Sequence, residues 1–222
     1  MGSSPTTHIE VTGLLKVIYY LILSLQLTFS TVNEANKCVE LPVQFISQLP
    51  DFPTGCEVVS LTMVLNYHGI DADVADIVDN YLPKGKLGKT NPEEAFIGSP
   101  RKISGYGIFS KGLAKTCELY TSSVEAIDIT GCTLNEIEYF IRQGYPVIIW
   151  VSQDWSLKEK CNTIKYEGGS YNWYSGNHCV VISGFDDKNY IIQDPLVGTV
   201  KVLKETVKQV FNDRGSKALL IE

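Results

Sequence analysis

The sequence predicts an α+β fold in which helices come first and an antiparallel sheet follows. Two helices, an apolar one over Cys56–His68 and a second over Asp71–Leu82, are predicted in the first half of the chain. Short apolar runs of strand length dominate the second half. Two of them, His178–Phe185 and Asn189–Pro195, are joined by a polar turn, which is typical of a β-hairpin. Because helices and strands do not alternate regularly, we do not expect a doubly wound parallel sheet.

The first half contains an extended segment, a loop and two helices. Valine and isoleucine alternate with polar residues over Cys38–Gln48, which predicts extended structure. The two prolines and the glycine of Leu49–Gly55 predict a loop. The helix Cys56–His68 is apolar on most sides and is expected to be buried, with Gly69 as its stop. Asp71 is a suitable N-cap for the second helix.

The second half is expected to build most of the sheet. Pro83–Gly112 is rich in glycine and proline, which predicts irregular structure. Thr133–Gly144 has a threonine cap and a glycine stop, so it predicts a helix. Tyr145–Ser152 predicts a buried strand, Lys204–Gly215 a last short helix and Lys217–Glu222 a last strand.

Composition and charge limit the class of protein. The 222 residues suit one domain, or one domain plus a leader, and 44% hydrophobic residues can build a core. The net charge of −6 and the lack of a basic block argue against nucleic acid or an anionic membrane surface as the main partner.

The N-terminal segment resembles a targeting signal. The run Gly13–Ser30 is almost entirely apolar after Lys16, but its uninterrupted part is too short to span a bilayer. Residues 1–36 are therefore predicted to be a signal peptide, with an uncleaved anchor as the alternative, and residues 37–222 the folded domain. A membrane contact is expected only through this possible anchor. The domain would then be secreted or held at the outer face of the cell membrane.

The six cysteines do not predict a metal site. No pair has Cys-x-x-Cys spacing, so a structural zinc site is not expected, and we predict no metal and no cofactor. The disulfide pairing cannot be deduced from the sequence.

Cys56 stands where a loop meets the buried helix. The first turn of a helix offers unpaired N–H groups and the positive end of the helix dipole, which lower the pKa of a thiol. A buried structural cysteine is an equally good interpretation of this position alone.

The histidines of the chain favour Cys56 as a nucleophile over Cys56 as a structural cysteine. A cysteine nucleophile needs a base within hydrogen-bond reach, and the chain has three histidines. His8 lies in the leader, and His68 is roughly 18 Å along the helix from Cys56. His178, at the start of a strand, is the remaining candidate.

Asp194, at the end of the next strand, is predicted to orient the imidazole of His178. An odd hairpin turn or a β-bulge would put both side chains on one face as diagonal neighbours. An even turn without a bulge would put them on opposite faces.

Other parts of the site are expected nearby. The backbone N–H of Cys56 is one candidate donor to an oxyanion, and the side chain of Gln48 is a second, with Gln44 as its alternative. The aromatic loop before His178 is proposed to line the substrate cleft or, equally, to be a packed loop without a substrate. Its members are Tyr171, Trp173 and Tyr174.

Three blocks of this sequence resemble a known family. "ISQLPDFPTGCEVVSLTMVLNYHG", "GNHCVVISGFD" and "YIIQDP" are similar to the signature blocks of the bacteriocin-leader-processing peptidase-like family, within the papain-like cysteine peptidases. The resemblance covers roughly residues 41–222, and the stand-alone, often secreted branch is the nearest. It implies a papain-like fold with the catalytic helix packed on an antiparallel sheet. It also implies Cys56 as nucleophile, His178 as base, Asp194 as orienting residue and Gln48 as oxyanion donor.

We therefore expect a thiol hydrolase that cleaves a peptide or related amide through an acyl-enzyme. One alternative is a γ-glutamyl or acyl transferase of the phytochelatin-synthase-like type. A second alternative is a non-catalytic binding module on the same fold.

Overall fold

The structure, a computed structural model, describes residues 38–157 and 160–222. The predicted signal peptide or anchor in residues 1–36 lies outside the described residues. Within the described ranges, no helix combines the length and the apolar character that crossing a membrane would need.

The helices and strands mostly follow the predicted order. The helices are α1 (Cys56–Tyr67), α2 (Val74–Asp76, continued by a π-helical turn over Ile77–Tyr81), α3 (Ser110–Tyr120), α4 (Leu134–Arg142) and α5 (Lys204–Asp213). The strands are β1 (Val39–Glu40), β2 (Lys84–Gly85), β3 (Phe96–Ile97), β4 (Ala126–Asp128), β5 (Val147–Ser152), β6 (Lys160–Tyr166), β7 (Gly169–Tyr174), β8 (Asn177–Phe185), β9 (Asn189–Asp194), β10 (Gly198–Leu203) and β11 (Ala218–Ile221).

The main sheet is antiparallel throughout its described strands. Its order is β10-β9-β8-β5-β11-β4, and β1 pairs with the C-terminal end of β8. The predicted α+β class with an antiparallel sheet is confirmed. The hairpin β6–β7 is a separate two-stranded sheet, as is the parallel pair β2–β3.

Helix α1 is a core helix. All of its residues from Cys56 to Leu65 are buried, because the segment has no continuous polar face to turn toward water. The helix ends where the prediction placed its stop: Gly69 has φ of 81°, a left-handed conformation that glycine adopts without steric cost.

The sheet separates two hydrophobic cores. Side chains alternate along a strand, so successive residues of β8 enter different cores. Cys179 and Val181 pack in the cluster that contains α1 and α3. Val180 and Ile182 pack on the opposite face with α4 and α5. The helices therefore cover both faces of the antiparallel sheet.

The structure differs from the sequence prediction at several elements. Of Cys38–Gln48 only Val39–Glu40 pairs as a strand. The N–H of Leu41 still donates to the carbonyl of Ser183, but the next residue, Pro42, has no N–H with which to continue the pairing. The loop before His178, predicted as irregular, is strand β7. Its side chains are mostly polar or aromatic and partly exposed, and it pairs only with β6, so it lacks the apolar pattern of a core strand. Helix α3 and the strands β2, β3, β4, β6 and β10 were not predicted.

Candidate active site

A cleft of about 430 Å³ brings the predicted catalytic residues to one place. Cys56, His178 and Gln48 all line it, although 122 residues separate the cysteine from the histidine (178 − 56). The other residues that line it are Pro53, Thr54, Ile103, Ser104, Gly105, Tyr106, Gln153, Trp173, Gly176, Asn177 and Leu196.

Cys56 is the first residue of α1. The preceding Gly55 is the N-cap, and a Cβ built there would lie 2.7 Å from the Cβ of Phe52, so the loop can approach the helix only with glycine. The N–H groups of the first turn have no partners within the helix, which leaves the Cys56 N–H available as a donor. Cys56 as a whole is almost buried, with 7% exposure.

Ser60 fixes the first turn of α1 beside the start of β8. Its hydroxyl donates to the carbonyl of Cys179 at 3.3 Å, and Cys179 follows His178 directly. This contact joins the helix that begins at Cys56 to the strand that carries the imidazole.

His178 and Asp194 form a buried pair. Nε2 of His178 lies 2.7 Å from Oδ1 of Asp194, and both side chains are 3% exposed. A second donor, the N–H of Leu196, reaches the same carboxylate oxygen at 2.9 Å. The carboxylate thus has one fixed orientation, and the ring is held by its Nε2 edge.

A β-bulge creates the geometry of this pair. Phe185 pairs with Tyr190 and Gly184 with Ile191, but Ile182 pairs with Ile192, so the register shifts between Ile182 and Gly184. After this shift, His178 and Asp194 lie on one face as diagonal neighbours. The hairpin therefore contains a β-bulge, which was one of the two ways predicted from the sequence to put both side chains on the same face.

Gln48 lies at the cleft with its side-chain amide in use. Nε2 donates to the carbonyls of Pro53 at 3.0 Å and Phe52 at 3.3 Å, while Oε1 is buried without a partner. To donate to an oxyanion, the amide must share or exchange one of these bonds. The Gln48 N–H donates to the carbonyl of Pro195 at 2.9 Å, which fixes this loop beside Asp194.

Glu57 is a site residue that sequence reasoning missed. Its Oε2 accepts from the sulfur of Cys56 at 3.3 Å, and its Oε1 accepts from the N–H of Ile108 at 3.1 Å. The side chain is 5% exposed, and burial raises the pKa of this carboxyl to about 7. The available signal was a lone acidic residue in the first turn of an otherwise apolar helix.

The surroundings of Cys56 change the expectation for its thiol. Burial and the neighbouring Glu57 raise the pKa of Cys56 well above its ordinary value, whereas the helix position alone predicted a lower pKa. Desolvation opposes the charged thiolate, and an adjacent negative charge adds to it. Among the hydrogen bonds of residues 38–157 and 160–222, none joins this sulfur to His178.

The three aromatic residues that were predicted to line the cleft lie at two different cavities. Trp173 lines the cleft and contacts Tyr106 with ring centroids 5.2 Å apart. Tyr171 and Tyr174 line a neighbouring cavity instead. Alternation along β7 would place Trp173 and Tyr171 on one face; their centroids are 6.4 Å apart, so the two cavities adjoin at this strand.

Comparisons with known proteins identify the family of this chain. The model of the Peptidase_C39 like family matches residues 40–219. A C39-like peptidase of Bacillus anthracis has a crystal structure that is 33% identical, with a TM-score of 0.77, and the match covers 83% of this chain and 97% of that one. The uncharacterized protein YvpB of Bacillus subtilis (strain 168) is 25% identical over 178 residues, which are 78% of this chain and 71% of the relative. The chain therefore belongs to the Peptidase_C39-like family and is a papain-like cysteine peptidase.

Proposed function

We propose that this protein hydrolyses a peptide or related amide bond through a Cys56–His178–Asp194 triad and an acyl-enzyme. The observation that carries the proposal is the shared cleft, in which a cysteine at a helix N-terminus lies with a carboxylate-bound imidazole. The family supports a thiol peptidase, and the geometry suggests how each group would act.

The imidazole is the base. Asp194 accepts a hydrogen bond from the N–H at Nε2, which keeps the proton on that nitrogen and leaves Nδ1 of His178 as the basic nitrogen. The thiol of Cys56 must leave its bond to Glu57 and give its proton to Nδ1 before the sulfur can attack. Hydrogen bonds of this kind are often absent before the substrate binds and form in the Michaelis complex.

The remaining steps follow from the same groups. The thiolate attacks the substrate carbonyl, and the resulting oxyanion accepts from the Cys56 N–H and from Gln48. The His178 imidazolium then protonates the leaving amine, which leaves a thioester on Cys56. Water, deprotonated by the same imidazole, hydrolyses the thioester and restores the free thiol.

The proposed reaction takes place outside the cell. Residues 1–36 would act as a signal peptide or an anchor, so the domain would be secreted or held at the outer face of the membrane. The apolar run Gly13–Ser30 supports this assignment.

Iodoacetamide labelling tests the catalytic pair. We expect Cys56 to react in the native protein with a rate that depends on pH, and to react more slowly in His178→Ala. Cys38, which is exposed, serves as an internal reference thiol that should react equally in both proteins. Peptide mapping by mass spectrometry separates the two sites. Equal labelling of Cys56 in both proteins would contradict the pair.

Digestion of a peptide library tests the reaction itself. We expect the wild type to cleave some members and Cys56→Ala to cleave none. Asp194→Asn should lose about 10²–10⁴-fold in kcat/KM, because its amide N–H can donate to Nε2 and leave the ring proton on Nδ1, the wrong tautomer for a base. Added glutathione should leave the hydrolysis products unchanged. A glutathione adduct as the main product would support the transferase, and the absence of any turnover would support a binding module.

A further inference from the structure

A second cavity of about 430 Å³ lies beside the catalytic cleft. We call it the Arg214 cavity, and its defining residues are Glu93, Phe109, Tyr171, Tyr174, Arg214 and Lys217. Phe109 stacks on Trp173, a cleft residue, with ring centroids 5.9 Å apart. The two spaces therefore share an aromatic wall, but neither Cys56 nor His178 lines the Arg214 cavity.

Buried polar atoms without partners concentrate at this cavity. In the described residues, six buried side-chain atoms lack a hydrogen-bond partner, and four of them belong to residues that line it. They are Nε and Nη2 of Arg214, the hydroxyl of Tyr171 and Oε2 of Glu93. Since buried polar groups are normally satisfied, such a cluster calls for polar partners from outside the chain, either ordered water or a polar ligand.

Arg214 presents a carboxylate-binding edge. The residue is only 5% exposed, its Nη1 donates to Asp213, and its guanidinium lies 4.5 Å above the ring of Tyr174. Nε and Nη2 point to the same side of a guanidinium and together form the fork that binds two oxygens of one carboxylate. Lys217 lines the same cavity and adds positive charge; its ammonium donates to the carbonyl of Arg214 at 3.4 Å and lies 4.7 Å from the centroid of the Phe109 ring.

Glu93 offers the opposite charge. Its Oε2 is buried and has no partner, so it can accept from a ligand ammonium. Burial raises the pKa of this carboxyl while Lys217 and Lys111 lower it, so the charge is only partly compensated. A bound cation would complete that compensation.

The remaining walls are aromatic. Phe109, Tyr166, Tyr171 and Tyr174 line the same cavity as the polar groups, and its volume is within the size range of small-molecule sites. We propose that the Arg214 cavity binds a free α-amino acid with an aromatic side chain, its carboxylate on Arg214 and Lys217 and its ammonium on Glu93. This proposal does not rest on the peptidase activity.

Calorimetric titration of the full-length protein with L-phenylalanine tests the proposal. We expect saturable binding below about 1 mM, the affinity class of a small ligand with two charged contacts. Two further probes each lack one charge: 3-phenylpropionate has no ammonium, and phenethylamine has no carboxylate. We expect each to bind at least about tenfold more weakly, since each leaves one buried group unpaired. No heat with L-phenylalanine at about 10 mM, or equal binding of all three probes, would overturn the proposal.

Near-isosteric variants assign the binding to this cavity. Glu93→Gln should bind L-phenylalanine and 3-phenylpropionate about equally, whereas the wild type should prefer the amino acid. Arg214→Lys, which keeps the charge but not the fork, should lose about tenfold in affinity. Tyr171→Phe removes one hydroxyl with little change of shape and keeps the test open if Arg214→Lys does not fold.

Cys56→Ala is the matched control for the neighbouring cleft. It should bind L-phenylalanine as the wild type does, because Cys56 does not line the Arg214 cavity. Unchanged affinity in Glu93→Gln, Arg214→Lys and Tyr171→Phe together would place the ligand elsewhere and refute the assignment. A protein that binds the amino acid but cleaves no peptide would refute the proposed function alone.

Discussion

At the scale of single residues, Glu57 is the side chain that most changes the chemistry expected of Cys56. A helix N-terminus alone would favour the thiolate, but the carboxyl of the next residue and the burial of both groups oppose it. His178, held by Asp194, must therefore overcome an unfavourable environment when it takes the thiol proton. We expect Glu57 to determine the pH range in which Cys56 reacts.

Glu57→Gln should make Cys56 more reactive. The substitution keeps the shape and can keep the bond to the Ile108 N–H, but it removes a negative charge beside the sulfur. We expect the rate of Cys56 alkylation at pH 8 to rise several-fold, and its pH profile to shift to lower pH. The exposed Cys38 is the control thiol and should not change. A slower reaction in the variant would show that the carboxylate assists the thiol.

The same variant should change how stability depends on pH. The pKa of Glu57 rises from 4.5 to about 7 on folding, so the folded state prefers the protonated acid. The contribution of the protonated Glu57 carboxyl to the free energy of unfolding is fully present below pH 4.5 and is lost as the pH rises through 7. Ionisation should then cost about 3 kcal/mol. Urea unfolding at pH 5 and pH 8 should show a smaller loss in Glu57→Gln than in the wild type, and equal losses would contradict the raised pKa.

At the scale of elements, the bulge in β8 determines whether the hairpin can hold a catalytic pair. The bulge lies near Gly184, which faces β1: a Cβ there would lie 2.3 Å from the backbone oxygen of Val39. Backbone atoms cannot move aside as a flexible side chain can. The irregular register and the close approach of β1 therefore depend on this glycine.

Gly184→Ala should damage both stability and the site. We expect a loss of about 1–3 kcal/mol from the forced shift of β1 or β8, together with slower alkylation of Cys56. Thr133→Ala is the control, because it removes the capping box of α4 at about 1 kcal/mol and does not line the cleft. Urea unfolding and alkylation of the folded proteins measure the two effects. If both variants slow alkylation equally, stability alone explains the result and the bulge has no special role.

At the scale of the whole molecule, the sheet divides the interior into two cores that should respond separately to mutation. Val181 packs with α1 and α3, while Ile182 and Ile192 are cross-strand partners on the other face. Residues in direct contact share packing, whereas residues in different cores do not. The site lies where the two-sided sheet meets the first turn of α1.

A double-mutant comparison tests this separation. Ile182→Val and Ile192→Val should each cost about 0.5–1.5 kcal/mol, and their combination should deviate from additivity by about 0.5 kcal/mol or more. Val181→Ala combined with Ile192→Val should be additive within about 0.5 kcal/mol. Urea unfolding of the five variants provides the data. Stronger coupling across the sheet than within one core would contradict two independent clusters.

Local patterns in the sequence determined the buried helix after Gly55, its stop at Gly69, the hairpin of β8 and β9, and the candidates Cys56, His178, Asp194 and Gln48. Each depends on neighbours along the chain: an apolar run, a left-handed glycine, a polar turn or a reactive residue at the end of an element. The hairpin β6–β7 was missed because its residues carry no core pattern, and the roles of the four candidates stay predictions.

The tertiary structure alone decided how these residues meet. The register of β8 against β9, the bond between Glu57 and the sulfur, and the separation of Trp173 from Tyr171 and Tyr174 all depend on contacts between distant segments. A pKa likewise depends on which groups surround a side chain once water has been excluded. Neither burial nor register is encoded at one position, because both result from the packing of the entire chain.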